Sequence, residues 1–386
     1  MRTLEQQIKF VDSLIEVLDD LDELGIQGIQ RQRAINSFLG MKARHMDVPL
    51  MGSFELTPLC NLDCKMCYVH LTQNQIAKDE RLLTVDEWKA IIKQAAEAGM
   101  MYATLTGGEC LTYPGFKEIY LYLVSLGIQP DVMTNGRLLT EGMIEFFKKY
   151  PPGMMQITLY GSCEDAYERV TGHRAFRQVI DGIQRAKEAG LHLTIAITPS
   201  RFMQEDAEEL LKVLYSLNLP YVIGDASLQA RPETERDLLD YAVDTDVYLE
   251  ILKANRQYCE KLPELDPQRM VPVYFPKNRN ELQGLRCAGA HSSFHVNWKG
   301  ELCPCIAFSA IVQCDILSKS FDEALAFVRE KMLGYQPPKE CAECAVRDHC
   351  FACPGEKHMC DMNGSLKAVV CQKLERRIRE GYIRIE

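Results

Sequence analysis

Cys60-Asn61-Leu62-Asp63-Cys64-Lys65-Met66-Cys67-Tyr68 comes just after Ser53-Phe54-Glu55-Leu56-Thr57, an alternating apolar run that predicts a first strand over 53–57. A C-x3-C-x2-C loop offers three thiolates. That is one short of a closed tetrahedral zinc site, and one short of ligating every iron of a cubane. A [4Fe–4S] cluster held by three cysteines keeps one iron open, and an open iron can bind a chelating substrate. The spacing also admits a labile zinc loop, or a loop that borrows a remote fourth ligand.

Outward from this loop, strand and helix signals alternate from about 50 to 230, which predicts parallel βα units. The strand windows are 53–57, 102–106, 129–134, 154–160, 191–198 and 221–227, and the helix windows are 84–98, 115–126, 140–149, 175–189 and 205–217. Several helices end on a glycine, at Gly99, Gly127 and Gly190, as helix C-terminal caps do. Six such units suit a partial (βα)6 barrel or a doubly wound open sheet. In either fold the active site lies at the carboxyl ends of the strands. The cysteine loop follows the first strand, Thr106-Gly107-Gly108-Glu109 the second, Met133-Thr134-Asn135-Gly136 the third and Thr158-Leu159-Tyr160-Gly161 the fourth. All four should gather at one mouth.

The flanks read differently. Leu4, Ile8, Val11, Leu14, Ile15, Leu18 and Leu21 recur at spacings of three and four, so residues 1–48 are expected to be a helical cap, interrupted at Gly25 and Gly28. Residues 231–286 read as a connector, with a pattern break at 231–233, an acidic helix over about 234–261 and a proline-bearing loop over 263–276. From Cys287 the composition shifts, because most of the chain's 16 cysteines lie beyond it. The expected domains are therefore 1–48, 49–230, 231–286 and a cysteine-rich 287–386.

The 386 residues suffice for two or three domains and a large core. A net charge of −10 argues against non-specific binding to nucleic acid or anionic membrane. No apolar run reaches the ~20 residues of a membrane span, and the start has no signal-peptide core. The expected location is the cytoplasm, where reducing conditions disfavour a disulfide framework. The cysteines are then metal ligands, catalytic thiols or apolar filling. Cys110, Cys163, Cys259 and Cys314 read as packing, with Cys110 singled out because it follows Glu109 at the mouth and could exchange a hydrogen atom with substrate.

With Met66 before its third cysteine and Tyr68 after it, the loop resembles the radical S-adenosylmethionine (SAM) superfamily. That resemblance implies an α/β partial (βα)6 TIM-like barrel in which Cys60, Cys64 and Cys67 hold a [4Fe–4S] cluster. Its open iron takes the amino and carboxylate groups of SAM, and an electron from the cluster cleaves the sulfonium to a 5′-deoxyadenosyl radical. Gly107-Gly108-Glu109 matches the family's Gly-Gly-Glu element, which holds the methionine amino group. Thr134, Asn135 and Thr158 occupy strand ends where relatives contact SAM. Arg169 or Arg174 would bind the SAM carboxylate.

Cys341-x2-Cys344-x5-Cys350-x2-Cys353, with Cys371 after it and Cys287 and Cys303-Pro304-Cys305 before it, admits a structural zinc site taken alone. The whole set resembles the SPASM domain, which carries two auxiliary [4Fe–4S] clusters. By that analogy Cys287, Cys305 and Cys353 hold the first, and Cys341, Cys344, Cys350 and Cys371 the second, giving three clusters in the chain. Two departures stand out. The last spacing in the run is two residues rather than three, and Ser293 stands where sulfatase-maturating relatives have a cysteine. The first auxiliary cluster would then have an open iron, or recruit Cys303 or another ligand. The resemblance implies a maturase that acts on a precursor peptide or protein, forming thioether or carbon–carbon crosslinks or oxidising a side chain, and fed by a reductase, flavodoxin or ferredoxin. Two other readings are a radical SAM enzyme for a small molecule, such as a haem-pathway decarboxylase, and a non-catalytic iron–sulfur or zinc scaffold.

Overall fold

A computed structural model describes residues 16–261 and 287–382, apart from 17, 20–21, 24–27, 77–79, 226, 228–229, 231–233, 235–236, 347–349 and 351. Of the early apolar repeat only Leu18 is among the described residues, where it is helical; the pattern break at 231–233 and the loop expected over 263–276 lie outside them. A helix, α1 (Gly28–His45), begins at the second interrupting glycine.

Six parallel strands follow with their helices: β1 (Met51–Glu55), α2 (Val85–Glu97), β2 (Tyr102–Thr106), α3 (Phe116–Ser125), β3 (Gln129–Thr134), α4 (Glu141–Lys149), β4 (Met155–Thr158), α5 (Glu164–Thr171), α6 (Phe176–Glu188), β5 (Leu193–Ile197), α7 (Ala207–Leu217) and β6 (Tyr221–Ile223). The sheet order runs β6-β5-β4-β3-β2-β1, with each strand beside its sequence neighbour. A doubly wound sheet needs a reversal of strand order, and there is none between β1 and β6. The fold is the singly wound partial barrel.

The sequence windows match closely at β2 and β3 and overrun at β4, β5 and β6. The first strand is displaced, running 51–55 rather than 53–57. The acidic helix expected over 234–261 is broken into a single turn, α8 (Leu238–Tyr241), and α9 (Thr245–Lys261). Helix α5 had no window of its own. It has only eight residues and ends on Gly172 in the left-handed conformation.

Beyond the connector the sheet continues. β7 (Ser293–Val296) pairs parallel with β1, then β8 (Glu301–Cys303) and β9 (Cys314–Asp315) add antiparallel strands. The sheet thus crosses the boundary expected at residue 287. Aromatic packing reinforces the join. Phe54 meets Trp88 of α2 edge-on at 6.1 Å and Phe294 of β7 at 5.8 Å, and Phe294 meets Phe321 at 4.9 Å. Phe321 opens α10 (Phe321–Leu333). All four rings are essentially sealed from solvent, and burying a phenylalanine side chain contributes about 1.5–3 kcal/mol. The chain closes with α11 (Lys339–Ala342), α12 (Pro354–Met362), a π-helical stretch at Leu366–Cys371 and α13 (Gln372–Arg379). Among the described residues no helix is long and apolar enough to cross a membrane.

Candidate active site

The cysteine loop is clamped from three sides. From below, Gly108 N–H donates to Thr57 O at 2.7 Å and Glu109 N–H to Leu59 O at 2.9 Å, which joins the end of β2 to the start of the loop. On the flank, Asp63 and Lys65 N–H groups donate to Thr171 O and Val170 O, both at 2.9 Å, so the last turn of α5 carries the middle of the loop. Across the mouth, Asn135 Nδ2 donates to Asn61 Oδ1 at 2.7 Å and Arg137 to Asn61 O at 2.5 Å. Leu62, Cys64 and Met66 point inward and are buried, whereas Cys60, Cys67 and Tyr68 are half-buried.

The three thiols act on one another. Burial, and then the Glu109 carboxylate, push the Cys60 thiol up to about 12. Burial pushes Cys64 well above the usual thiol range, Cys67 and Cys60 add to this, and the Tyr160 hydroxyl opposes it by hydrogen-bonding the sulfur. Leu62 N–H donates to Cys60 Sγ at 3.4 Å, Asn135 Nδ2 to the same sulfur at 3.5 Å, and His70 N–H to Cys67 Sγ at 3.2 Å. Each of the three sulfurs is thus met by at least one donor, and Cys60 and Cys64 are held above the usual thiol range. A coordinated metal deprotonates such thiols.

Glu109 is only 1% exposed, yet its carboxylate is well provided for. Oε1 accepts from Thr134 Oγ1 at 2.8 Å and Leu111 N at 3.1 Å, and Oε2 accepts from Asn135 N at 2.7 Å. Burial raises its pKa and these three donors oppose the rise. Glu109 therefore ties the end of β2 to the end of β3 directly beneath the cysteines. The two glycines before it serve the same junction. A Cβ on Gly107 would stand 2.5 Å from Thr57 O, and one on Gly108 would stand 2.4 Å from Leu59 O and 2.5 Å from Pro58 O. They admit the cysteine loop's backbone, a role that the motif alone did not reveal.

Thr134 and Asn135 are buried here, and Thr158 is half-buried at the end of β4. Cys110, expected to face substrate at the mouth, has no exposed surface. It begins a turn that dives under the loop, and its thiol donates to Met133 O at 3.3 Å. Arg169 is exposed in the last turn of α5, and Arg174 is spent on Asp165 at 2.5 Å and Glu168 at 3.0 Å. Sequence reasoning missed Arg137 and Tyr160. Both follow strand ends already under scrutiny, at β3 and β4, and that position was the available signal.

Against known families, residues 54–214 match the radical SAM superfamily. Residues 54–214 form a radical SAM domain. Its cofactors are SAM and an iron–sulfur cluster. The chain is similar to the AdoMet-dependent heme synthase of Methanosarcina barkeri, with 25% identity over 323 residues covering 80% of this chain and 91% of that protein. It is similar to the PqqA peptide cyclase of Bradyrhizobium diazoefficiens, with 23% identity over 298 residues and 74% of each chain. In fold it is similar to Streptococcus suis SuiB bound to its precursor peptide SuiA, with a TM-score of 0.61 at 16% identity over 91% of this chain and 85% of that one.

Several of the later cysteines, beyond the radical SAM domain, are raised by burial and by one another. Cys305 is pushed up to about 12 by burial and then by Cys287 and Cys353, and Cys353 is raised by burial and, among smaller causes, by Cys287. Cys341 is raised by burial together with Cys350 and Cys344, and Cys371 by burial together with Cys341, Cys350 and Cys344. Cys303 stands two residues before Cys305. It is fully buried in β8 with its thiol 3.6 Å from Glu301 O and 3.9 Å from Ser309 O. Among the described residues no three or more His, Cys, Asp or Glu converge on a point that could hold one metal ion. A cubane, by contrast, takes each thiolate on a different iron.

Proposed function

We propose that the chain is a radical SAM enzyme that modifies a peptide or protein side chain in the cytoplasm, most plainly a ribosomally made precursor peptide. The observation that carries the radical chemistry is the trio Cys60, Cys64 and Cys67, presented together at the end of β1 above the buried Glu109. The donor set fits a cubane with one iron left open. When bound, the cluster and SAM supply one electron transfer and a 5′-deoxyadenosyl radical that removes a hydrogen atom. The chain's own residues fix the geometry. Asn135 and Arg137 hold the loop, Tyr160 donates to Cys64, and Glu109 keeps the ends of β2 and β3 in register. Gly107, Gly108, Glu109, Thr134, Asn135 and Thr158 line the strand ends on which SAM would lie.

The peptide reading rests on likeness to a peptide cyclase over three-quarters of the chain, together with the two later thiol sets. In our reading Cys287, Cys305 and Cys353 hold one auxiliary [4Fe–4S] cluster, and Cys341, Cys344, Cys350 and Cys371 another, in a SPASM-type arrangement. Forming a crosslink releases an electron after the hydrogen atom has gone, and such clusters would accept it. An external reductase, flavodoxin or ferredoxin would supply the initiating electron. A second reading, a small-molecule substrate, is favoured by the likeness to the heme synthase, which covers more of both chains.

One experiment separates the two. The anaerobically reconstituted enzyme is incubated with SAM, a low-potential reductant and synthetic peptides encoded beside its gene, then analysed by mass spectrometry. The peptide reading expects loss of two hydrogens for a crosslink, together with 5′-deoxyadenosine. SAM cleavage that leaves every such peptide unchanged, while a porphyrin substrate is altered, overturns it.

A further inference from the structure

Helix α1 ends in a basic turn of Lys42, Arg44 and His45. Cations there usually lie in solvent and offset the helix dipole. Arg44 does not. It is half-buried, and its Nε and Nη2 are sealed from water with no hydrogen-bond partner among the described residues. A buried donor left unpaired costs about 1–3 kcal/mol, and more when it is charged. The position therefore calls for an anion.

The surroundings identify which one. The end of α1 is docked on the turn that follows Cys287. Asp47 Oδ1 lies 2.6 Å from His291 Nδ1, Met51 N–H donates to Ser292 O at 3.0 Å, and Arg329 Nε donates to Ala290 O at 2.6 Å while also reaching Asp47 O. In the same turn Gly289 N–H donates to Cys287 Sγ at 3.3 Å. Cys287 is also the group that supports the Arg44 charge against the burial that lowers its pKa. The chain around Cys287 packs against the Cys303–Cys305 turn, since a Cβ on Gly289 would stand 3.4 Å from Cys287 Sγ and 3.1 Å from Pro304 O.

We propose that Arg44 is a positioning residue whose guanidinium donates toward an iron–sulfur cluster held by Cys287, Cys305 and Cys353 and raises its reduction potential. The proposal rests on the auxiliary-cluster reading above. A cluster on three thiolates gains negative charge on reduction, and a fixed cation beside it stabilises the reduced form more than the oxidised one. Arginine suits the position because it stays charged when half-buried and presents several donors in a plane. The N-terminal helix is then part of the redox machinery, and its role exceeds that of a cap.

The test is an anaerobic redox titration of the full-length protein followed by EPR, in a background where Cys60, Cys64 and Cys67 are alanine so that only the later sites contribute. Arg44→Gln is expected to lower the reduced-to-oxidised ratio of one signal about tenfold at fixed potential, equivalent to 59 mV for one electron. The other signal should not move. Arg44→Lys, which keeps the charge, should stay close to the parent. An R44Q titration that overlays the parent, or an R44K shift as large as that of R44Q, overturns the proposal. Failure of the underlying reading looks different: replacing Cys287, Cys305 and Cys353 together would then remove neither iron nor signal.

Discussion

Replacing Cys64 with alanine is expected to reduce 5′-deoxyadenosine formation from SAM to background and to remove about four irons per chain, one cubane's worth. Cys64 is the most enclosed of the three thiols, hydrogen-bonded by Tyr160 and flanked by Cys60 and Cys67. Two thiolates cannot retain a cubane against solvent. The loop should nevertheless keep its shape, because its backbone bonds to Thr171, Val170, Thr57 and Leu59 do not involve the sulfur. Circular dichroism and the melting temperature should therefore change little while activity vanishes. Iron assay and chromatography of the SAM products check both halves. A variant that cleaves SAM at the parent rate would refute the assignment of the trio.

Gly108→Ala should do the reverse, damaging structure first and chemistry as a consequence. The added methyl would stand 2.4 and 2.5 Å from two backbone carbonyl oxygens of the loop, and backbone cannot swing aside as a flexible side chain can. Relief requires parting the end of β2 from residues 57–59, which breaks the bonds from Gly108 N to Thr57 O and from Glu109 N to Leu59 O. Overpacking of this kind costs about 3 kcal/mol, the upper end of its usual range. Glu109 moves with it, so cluster loading should also fall. Gly142 in α4 is the control. A Cβ there meets nothing within 4 Å, and Gly142→Ala should be neutral or stabilising by up to about 1 kcal/mol. Thermal denaturation of both variants beside the parent makes the comparison, and equal stability of the two would show that the contact does not matter.

Much of this site was legible because strand ends converge on one mouth, and each strand end carries its own punctuation. The windows for β2 and β3 needed no adjustment, since their alternation is bounded by glycine on both sides. The division of seven later cysteines into two sets followed from a family spacing and belongs to the proposed cofactor reading. What stayed hidden was long-range. Nothing local says that Val170 and Thr171 would carry the cysteine loop, because an eight-residue helix leaves a weak periodic signal. Cys110 misled for a related reason. Adjacency to Glu109 places its backbone near the mouth, but the turn sends its side chain toward Met133. The continuation of the sheet through β7 was also invisible, since pairing with β1 joins residues more than 240 apart. The same separation conceals the docking of α1 on the turn after Cys287.

The central claim is that the trio at the end of β1 holds a cluster whose open iron takes SAM. The most direct measurement is EPR of the reduced, anaerobically reconstituted protein before and after addition of SAM, with ENDOR using SAM labelled at its amino nitrogen and carboxylate. The account predicts that SAM changes the spectrum, that the labels couple to the cluster, and that both effects vanish in the Cys64→Ala variant. A cluster spectrum indifferent to SAM, or one that survives the loss of Cys64 unchanged, would contradict it.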